Sequence, residues 1–282
     1  MLRTVLLTAL ALVAFAANSV LCRLALGGRT IDAASFGAIR LASGAIVLAA
    51  LHAASGRRAG ARRGALAPVM LFAYVVAFSF AYLSLSAGTG ALLLFGAVQA
   101  TMILAALRAG ERFAGGEAVG LAIALAGLTY LVLPGLAAPS PAGSALMIAA
   151  GIAWGLYSLR GRGATDPLGE TARNFALATP LALLVALATL PRLHLGGPGA
   201  LLAVASGAIT SGLGYVAWFA ALQGLSAIRA ATVQLAVPAL AAAGGVAFLG
   251  ERLTLRLALS AALILGGVGL AVASRARKVA AR

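Results

Sequence analysis

Ten long and almost uncharged apolar runs constrain the fold of this chain more than any other feature of its sequence. A helix of about 20 apolar residues crosses the hydrocarbon core of a bilayer. Hydrophobic residues fill 62% of the 282 positions and charged residues only 10%, a balance that soluble domains do not show. The sequence therefore predicts an all-α polytopic membrane protein with ten transmembrane helices. The runs cover residues 4–26, 33–53, 66–86, 88–108, 115–134, 142–159, 170–190, 198–222, 227–248 and 254–273.

The two halves of the chain repeat the same motifs at a spacing of 140 residues. The fifteen residues from Ala77 and the fifteen from Ala217 share six identities, and Gly110-Glu111-Arg112 pairs with Gly250-Glu251-Arg252 at the same spacing. Five spans per half is an odd number, so the second half would enter the membrane from the opposite side, as in many transporters. We therefore predict two inverted five-helix repeats, residues 1–137 and 138–282.

The basic residues indicate the orientation of the chain. With the N-terminus inside the cell, fifteen of the 21 Lys and Arg residues fall on the cytoplasmic face, where positive charge is retained. Both termini should then be cytoplasmic, and the basic run 57–63 should contact anionic lipid rather than nucleic acid. The first run resembles a signal peptide, but its apolar character continues through Leu26, so we expect it to remain as a span.

Aromatic side chains recur at helical spacing in three of the runs. Residues three or four apart lie on one face of a helix, and the spacing of 140 makes Phe78 the register partner of Trp218. We expect these faces to line a central cavity, although rings also fill ordinary helix interfaces. The candidates are Tyr74, Phe78 and Tyr82 in the third run, Trp154 and Tyr157 in the sixth, and Ser211, Tyr215 and Trp218 in the eighth.

Three amides lie inside apolar runs: Asn18, Gln99 and Gln234. An unpaired amide is costly in hydrocarbon, so each should face a partner. Either they contact the substrate, or they form hydrogen bonds between helices; the sequence leaves both alternatives open.

Charged side chains are rare at mid-membrane depth. All six acids fall at predicted span ends, which argues against coupling to protons or sodium ions. Arg40 lies about eight residues into the second run, where it could extend to the outer surface or face the pathway. We expect the pairs Glu111-Arg112 and Glu251-Arg252 to anchor helix ends. The acids are Asp32, Glu111, Glu117, Asp166, Glu170 and Glu251.

Enzymatic chemistry finds no support in the sequence. His52 and His194 are predicted at opposite membrane faces, the single Cys22 cannot form an internal disulfide, and no metal-binding or nucleophile motif occurs. We therefore predict that the protein is not an enzyme and needs no metal or cofactor.

The chain resembles the EamA-type drug/metabolite transporters over essentially its full length. The resemblance rests on the two Gly-Glu-Arg motifs, the segment 153–158, Asn18, Arg40 and Pro238. It implies ten helices in inverted repeats around a central cavity for small organic solutes, and among these proteins the chain is most similar to the YddG-like amino-acid exporters. One departure is that Pro238 has Val98 as its register partner, which puts a proline kink in the fourth span in doubt.

Together these features predict a multi-pass transporter of the bacterial inner membrane. We expect it to export small organic metabolites, amino acids including aromatic ones, by alternating access without obvious ion coupling. Its partners should be the small-molecule substrate and the lipid bilayer, and its oligomeric state, which could be monomeric, stays open. The alternatives are a multidrug or nucleoside-type efflux carrier and a channel-like facilitator.

Overall fold

The computed structural model describes residues 2–56, 64–108, 115–133, 138–161, 164–225, 233–234 and 236–280. These residues form ten helices and no strand, which confirms the predicted all-α class; an isolated bridge joins Ile31 to Leu195. The helices are α1 (Leu2–Gly27), α2 (Ala33–Ala54), α3 (Leu66–Ala81), α4 (Ala87–Arg108), α5 (Gly115–Val132), α6 (Pro141–Gly161), α7 (Pro167–Ala188), α8 (Gly197–Leu222), α9 (Ala236–Leu249) and α10 (Leu255–Ala280).

Six of these helices are long and apolar enough to cross a membrane: α1, α2, α4, α6, α7 and α8. The other four contain shorter apolar stretches, such as the 16 residues of α3. The predicted third run continues to residue 86, whereas α3 ends at Ala81. It ends early because the chain turns toward α4, whose first turn is capped by Ser86: its hydroxyl accepts a hydrogen bond from the amide of Thr89 at 3.2 Å.

The helices pack mostly in pairs drawn from the two halves of the chain. α2 packs against α7, α4 against α9 and α5 against α10, while α6 contacts α3 and α4, and α1 contacts α8 and α9. Glycines permit the close approach of α5 to α10. A Cβ atom at Gly127 would lie 2.6 Å from the Cβ of Leu263, and one at Gly267 would lie 2.5 Å from the carbonyl oxygen of Gly120.

The middle of α8 is irregular. Residues Ser206–Leu213 form a π-helical segment, which takes more residues per turn than an α-helix and is frequent at functional sites. It packs against α2, where a side chain on Gly207 would overlap the carbonyl group of Arg40. The segment therefore places the hydroxyls of α8 against α1 and α2.

One end of the bundle, which we call the Asp32 end, is joined across two loops. Asp32 donates its amide to the carbonyl of His194 at 2.8 Å, and its carboxylate accepts the amides of Ser35 and His194 at 2.9 and 3.2 Å. Partial burial favours the neutral acid, but hydrogen bonds from Ser35, His194 and Ala34 outweigh it and lower the pKa of Asp32 below its ordinary value of 3.8. At the opposite end, called the His52 end, His52 Nδ1 lies 3.6 Å from Asp166 Oδ2.

Candidate functional site

A cluster of buried aromatic rings lies where α1, α3, α6 and α8 meet. Trp154 is central: its ring centroid lies 4.6 Å from that of Tyr215, 5.1 Å from Tyr74 and 5.6 Å from Phe15. The tilted and edge-on geometries are those that aromatic pairs prefer. We call this group the ring cluster; its members are Phe15, Tyr74, Phe78, Trp154, Tyr157, Tyr215 and Trp218.

The structure thus brings together the aromatic candidates from three separate helices, with one exception. Tyr82 contacts Phe78 at 4.8 Å but lies at the end of α3, over Gly90, with its hydroxyl directed to the carbonyl of Ala87 at 3.3 Å. It therefore belongs to the Asp32 end rather than to the centre. Phe15 was not among the candidates, although its position three residues before Asn18 places both on one helix face.

Arg40 extends its guanidinium into the ring cluster. Its side chain is 0% exposed, so the alternative in which it reaches the outer surface is wrong. Nε donates to Ser211 Oγ at 2.9 Å, and Nη2 donates to the hydroxyls of Tyr74 and Tyr215 at 3.1 Å each. The Cζ atom also lies 4.9 Å from the ring centroid of Phe78. The acceptors and ring faces of α3 and α8 hold the charge inside the bundle.

The three amides do not share one environment. Asn18 Oδ1 accepts hydrogen bonds from Ser206 Oγ at 2.5 Å and Thr210 Oγ1 at 3.2 Å, which ties α1 to the π segment and favours the structural alternative for this residue. Gln99 is buried where α4 meets α5 and α10. Gln234 is buried just before α9, and a substrate contact of either glutamine stays a prediction.

The second Gly-Glu-Arg motif joins several elements at the Asp32 end. Gly250 has a φ of 63°, a left-handed conformation that suits glycine after a helix, and it directs Glu251 back toward the bundle. The Glu251 carboxylate forms an ion pair of 3.5 Å with Arg23 Nε and accepts the amide of Ala87 at the first turn of α4. We call these contacts the Glu251 latch. Arg252 is exposed beside it.

Arg23 also donates from Nη1 to the carbonyl of Tyr82 at 3.1 Å, so the Glu251 latch joins α1, the α3–α4 turn and the end of α9. These contacts are of the kind that anchor a helix end, and the role of the motif stays a prediction. The first Gly-Glu-Arg motif, with Glu111 and Arg112, lies outside the described residues. Pro238 is buried near the start of α9, beside an apolar groove between α4, α9 and α10.

A cavity of about 420 Å³ opens at the His52 end. Tyr157 and Phe219 form its inner wall, and their ring centroids lie 6.0 Å apart. Tyr157 also contacts Trp154 at 5.6 Å, so the cavity ends at the ring cluster. The charged residues of its walls are Arg160, Glu170 and Arg173, and polar Thr171 and Asn174 lie beside them.

No metal site accompanies this arrangement within the described ranges: no group of three or more His, Cys, Asp or Glu side chains there could hold a metal ion. The described histidines, His52 and His194, lie at opposite ends of the bundle.

Comparison with known proteins identifies the family of this chain. The sequence profile of the EamA-like transporter family matches residues 141–273. Uncharacterized protein PA1977 of Pseudomonas aeruginosa is 51% identical over 279 residues, covering 99% of this chain and 97% of its own length. A solved structure titled "Crystal structure of protein" shares the fold with a TM-score of 0.64 at 22% identity, over 93% of this chain and 98% of its own. The resemblance to EamA-type transporters that the motifs indicated is thus confirmed, and the chain belongs to the EamA-like transporter family.

Proposed function

We propose that this transporter exports amino acids, including aromatic ones, and similar small metabolites across the bacterial inner membrane by alternating access. Family membership supports transport of small molecules by a membrane protein. One observation carries the mechanism: the Glu251 latch and the Asp32–His194 hydrogen bonds close one end of the bundle, whereas a cavity of about 420 Å³ at the other end reaches the ring cluster. This asymmetry is what one state of an alternating carrier requires.

The helix contacts support two inverted five-helix repeats. Exchanging each helix with the one five places away leaves the pairs α2–α7, α4–α9 and α5–α10 unchanged. It also converts α3–α6 into α8–α1 and α4–α6 into α9–α1, and both of those contacts are present. Gly127 and Gly267 follow the same exchange, since each is a glycine at the close contact between α5 and α10. Rocking of one repeat against the other would then open and close the two ends in turn.

The orientation follows from the basic residues. In our proposal the His52 end faces the cytoplasm, because Arg160, Arg173 and the run 57–63 belong to that end by sequence. The cavity would then receive substrate from the cytoplasm, which is the direction an exporter needs.

The positions of the acids support a carrier without ion coupling. Among the described residues, Asp32, Asp166, Glu170 and Glu251 lie in loops or in the first turn of a helix, and Glu170 lines the cavity outside Tyr157. Proton and sodium carriers usually place ionisable acids within the membrane. Transport would then follow the substrate gradient or exchange one substrate for another.

Counterflow in proteoliposomes tests the proposal and separates a carrier from a channel. Vesicles preloaded with unlabelled phenylalanine should accumulate labelled phenylalanine faster than empty vesicles, with a rate that saturates. Protein-free liposomes give the background, and a panel of nucleosides and aromatic cations tests the alternative substrates. Non-saturating flux without acceleration by internal substrate would contradict alternating access.

A further inference from the structure

Among the residues that the structure describes, no acid forms an ion pair with the buried guanidinium of Arg40. The Arg23–Glu251 ion pair and the His52–Asp166 contact both lie at the ends of the bundle. The three donor contacts of Arg40 are to neutral hydroxyls. A buried cation is costly unless an anion or a full set of acceptors compensates it.

The same region carries donors that find no acceptor. Arg40 Nη1, Trp154 Nε1 and Trp218 Nε1 are all buried and have no hydrogen-bond partner among the described residues. Arg40 and Trp154 share two partners, because Arg40 donates to the hydroxyls of Tyr74 and Tyr215 and the Trp154 ring packs against both of their rings. Buried donors are almost always paired in folded proteins, so unpaired donors beside an uncompensated cation indicate a ligand rich in acceptors.

The surroundings define the rest of that ligand. The rings of Phe15, Tyr74, Phe78 and Trp154 supply apolar faces, and no acid of the described ranges lies in the ring cluster. A positively charged amine would therefore meet Arg40 without any compensating acid. The adjoining cavity carries Arg160 and Arg173 against Glu170, which favours the approach of an anion.

We propose that Arg40 is the anchor for the carboxylate of the transported substrate, with the indole N–H of Trp154 as a further donor and the ring cluster as the seat of an aromatic or apolar body. The proposal rests on the proposed transport function and deepens it: the carboxylate is required for binding, whereas the amino group is not. Substrates of this site are aromatic and apolar monocarboxylates, among them amino acids, and the corresponding amines are excluded.

A solely structural Arg40 would tie α2 to α3 and α8 and would not discriminate between ligands. A carboxylate anchor and a structural role therefore predict different ligand selectivities for the wild-type protein. A site built to pair a charged group rejects an analogue that lacks this group far more strongly than a purely apolar pocket does.

Intrinsic fluorescence measures this selectivity directly, because the only two tryptophans of the chain, Trp154 and Trp218, both belong to the ring cluster. The purified protein is titrated with phenylalanine, 3-phenylpropionate and phenethylamine. We expect saturable changes with both carboxylates and binding at least about tenfold weaker for phenethylamine. Equal binding of phenethylamine and 3-phenylpropionate, or no response to any of the three, would overturn the proposal.

Variants then assign the selectivity to Arg40. R40Q should weaken the binding of both carboxylates at least about tenfold and remove their preference over phenethylamine. R40K should retain part of this preference. The matched control R192Q removes an exposed arginine at the Asp32 end and should bind as the wild type does. Unchanged selectivity in a folded R40Q protein would overturn the assignment; if R40Q does not fold, R40K and the wild-type ligand series still decide.

The transport assay separates the two proposals. If the wild-type protein discriminates between carboxylate and amine in the fluorescence titration but moves no member of the panel in proteoliposomes, the proposed amino-acid transport fails and the carboxylate site stands. If it transports phenylalanine and phenethylamine equally well, the transport function stands and the carboxylate anchor fails.

Discussion

The backbone amide of Ala87 lies 2.9 Å from both carboxylate oxygens of Glu251. These residues are far apart in the sequence, on opposite sides of the proposed repeat boundary, yet one carboxylate joins the first turn of α4 to the end of α9. The same carboxylate pairs with Arg23. Opening the Asp32 end between these helices therefore requires these contacts to break together.

E251Q should loosen the Asp32 end. Loss of the charge weakens both the ion pair with Arg23 and the hydrogen bond from Ala87, and a hydrogen bond to a charged group contributes about 1.5–3 kcal/mol. The single cysteine, Cys22, is buried next to Arg23 and reports local opening. We expect a thiol reagent to label Cys22 at least about fivefold faster in E251Q. R252Q, which changes the exposed neighbour, is the control, and equal labelling of both variants would contradict the latch.

Acid should weaken the loop contacts of Asp32. Because its pKa lies below 3.8 in the folded protein, the ionised form contributes stability above the unfolded pKa, and this contribution is lost as the pH falls through the folded pKa. We expect the melting temperature of the wild-type protein in detergent to decrease when the pH is lowered past about 4. The melting temperature of D32N should decrease less over the same pH range. Parallel curves for the two proteins would show that Asp32 does not carry this dependence.

G207A should destabilise the protein, because its new methyl group would overlap the carbonyl of Arg40 and separate α2 from α8. Overpacking of this kind costs about 1–3 kcal/mol. Gly266 of α10 offers a matched control, since a Cβ atom there meets nothing within 4 Å. Thermal unfolding should show a lower melting temperature for G207A and an unchanged melting temperature for G266A. A wild-type melting temperature in G207A would mean that the two helices are not held at this distance.

W154A should impair substrate binding, because Trp154 contacts four other rings of the ring cluster. Loss of a central aromatic side chain commonly costs about 2 kcal/mol or more, so we expect the KM of the transported amino acid to rise at least about tenfold. The control is F248A, which removes a ring that is 77% exposed on α9. If W154A and W218A both left the kinetics of every transported substrate unchanged, the ring cluster would not be the binding site.

Hydropathy was sufficient to predict the helices, since the eighth run, 198–222, nearly coincides with Gly197–Leu222. It did not predict the end of α3, which depends on the cap of Ser86, or the π segment, which depends on packing against α2. Helical spacing identified Tyr74, Trp154 and Tyr215 as candidates within their own helices. That these side chains line a substrate cavity stays a prediction.

The partners of Arg40 were beyond sequence reasoning. Ser211 and Tyr215 are more than 170 residues away along the chain, and no local pattern specifies which helix faces α2. Asn18 shows the same limit, because its hydrogen bonds to Ser206 and Thr210 depend on the depth at which α1 meets α8. The first Gly-Glu-Arg motif lies outside the described residues, so the expected anchoring by Glu111 and Arg112 stays a prediction.

The π segment gives α8 a built-in axis of rotation. Each residue of an α-helix turns the chain by about 100°, and a π turn accommodates one surplus residue without breaking the backbone. If Ser206–Leu213 rewound into regular α-helix, the half of α8 that carries Tyr215 and Trp218 would revolve by about that angle relative to the half before Ser206. A rotation of this size would move the Tyr215 hydroxyl away from Arg40, so the strength of the proposed carboxylate anchor would depend on the winding of a single helix.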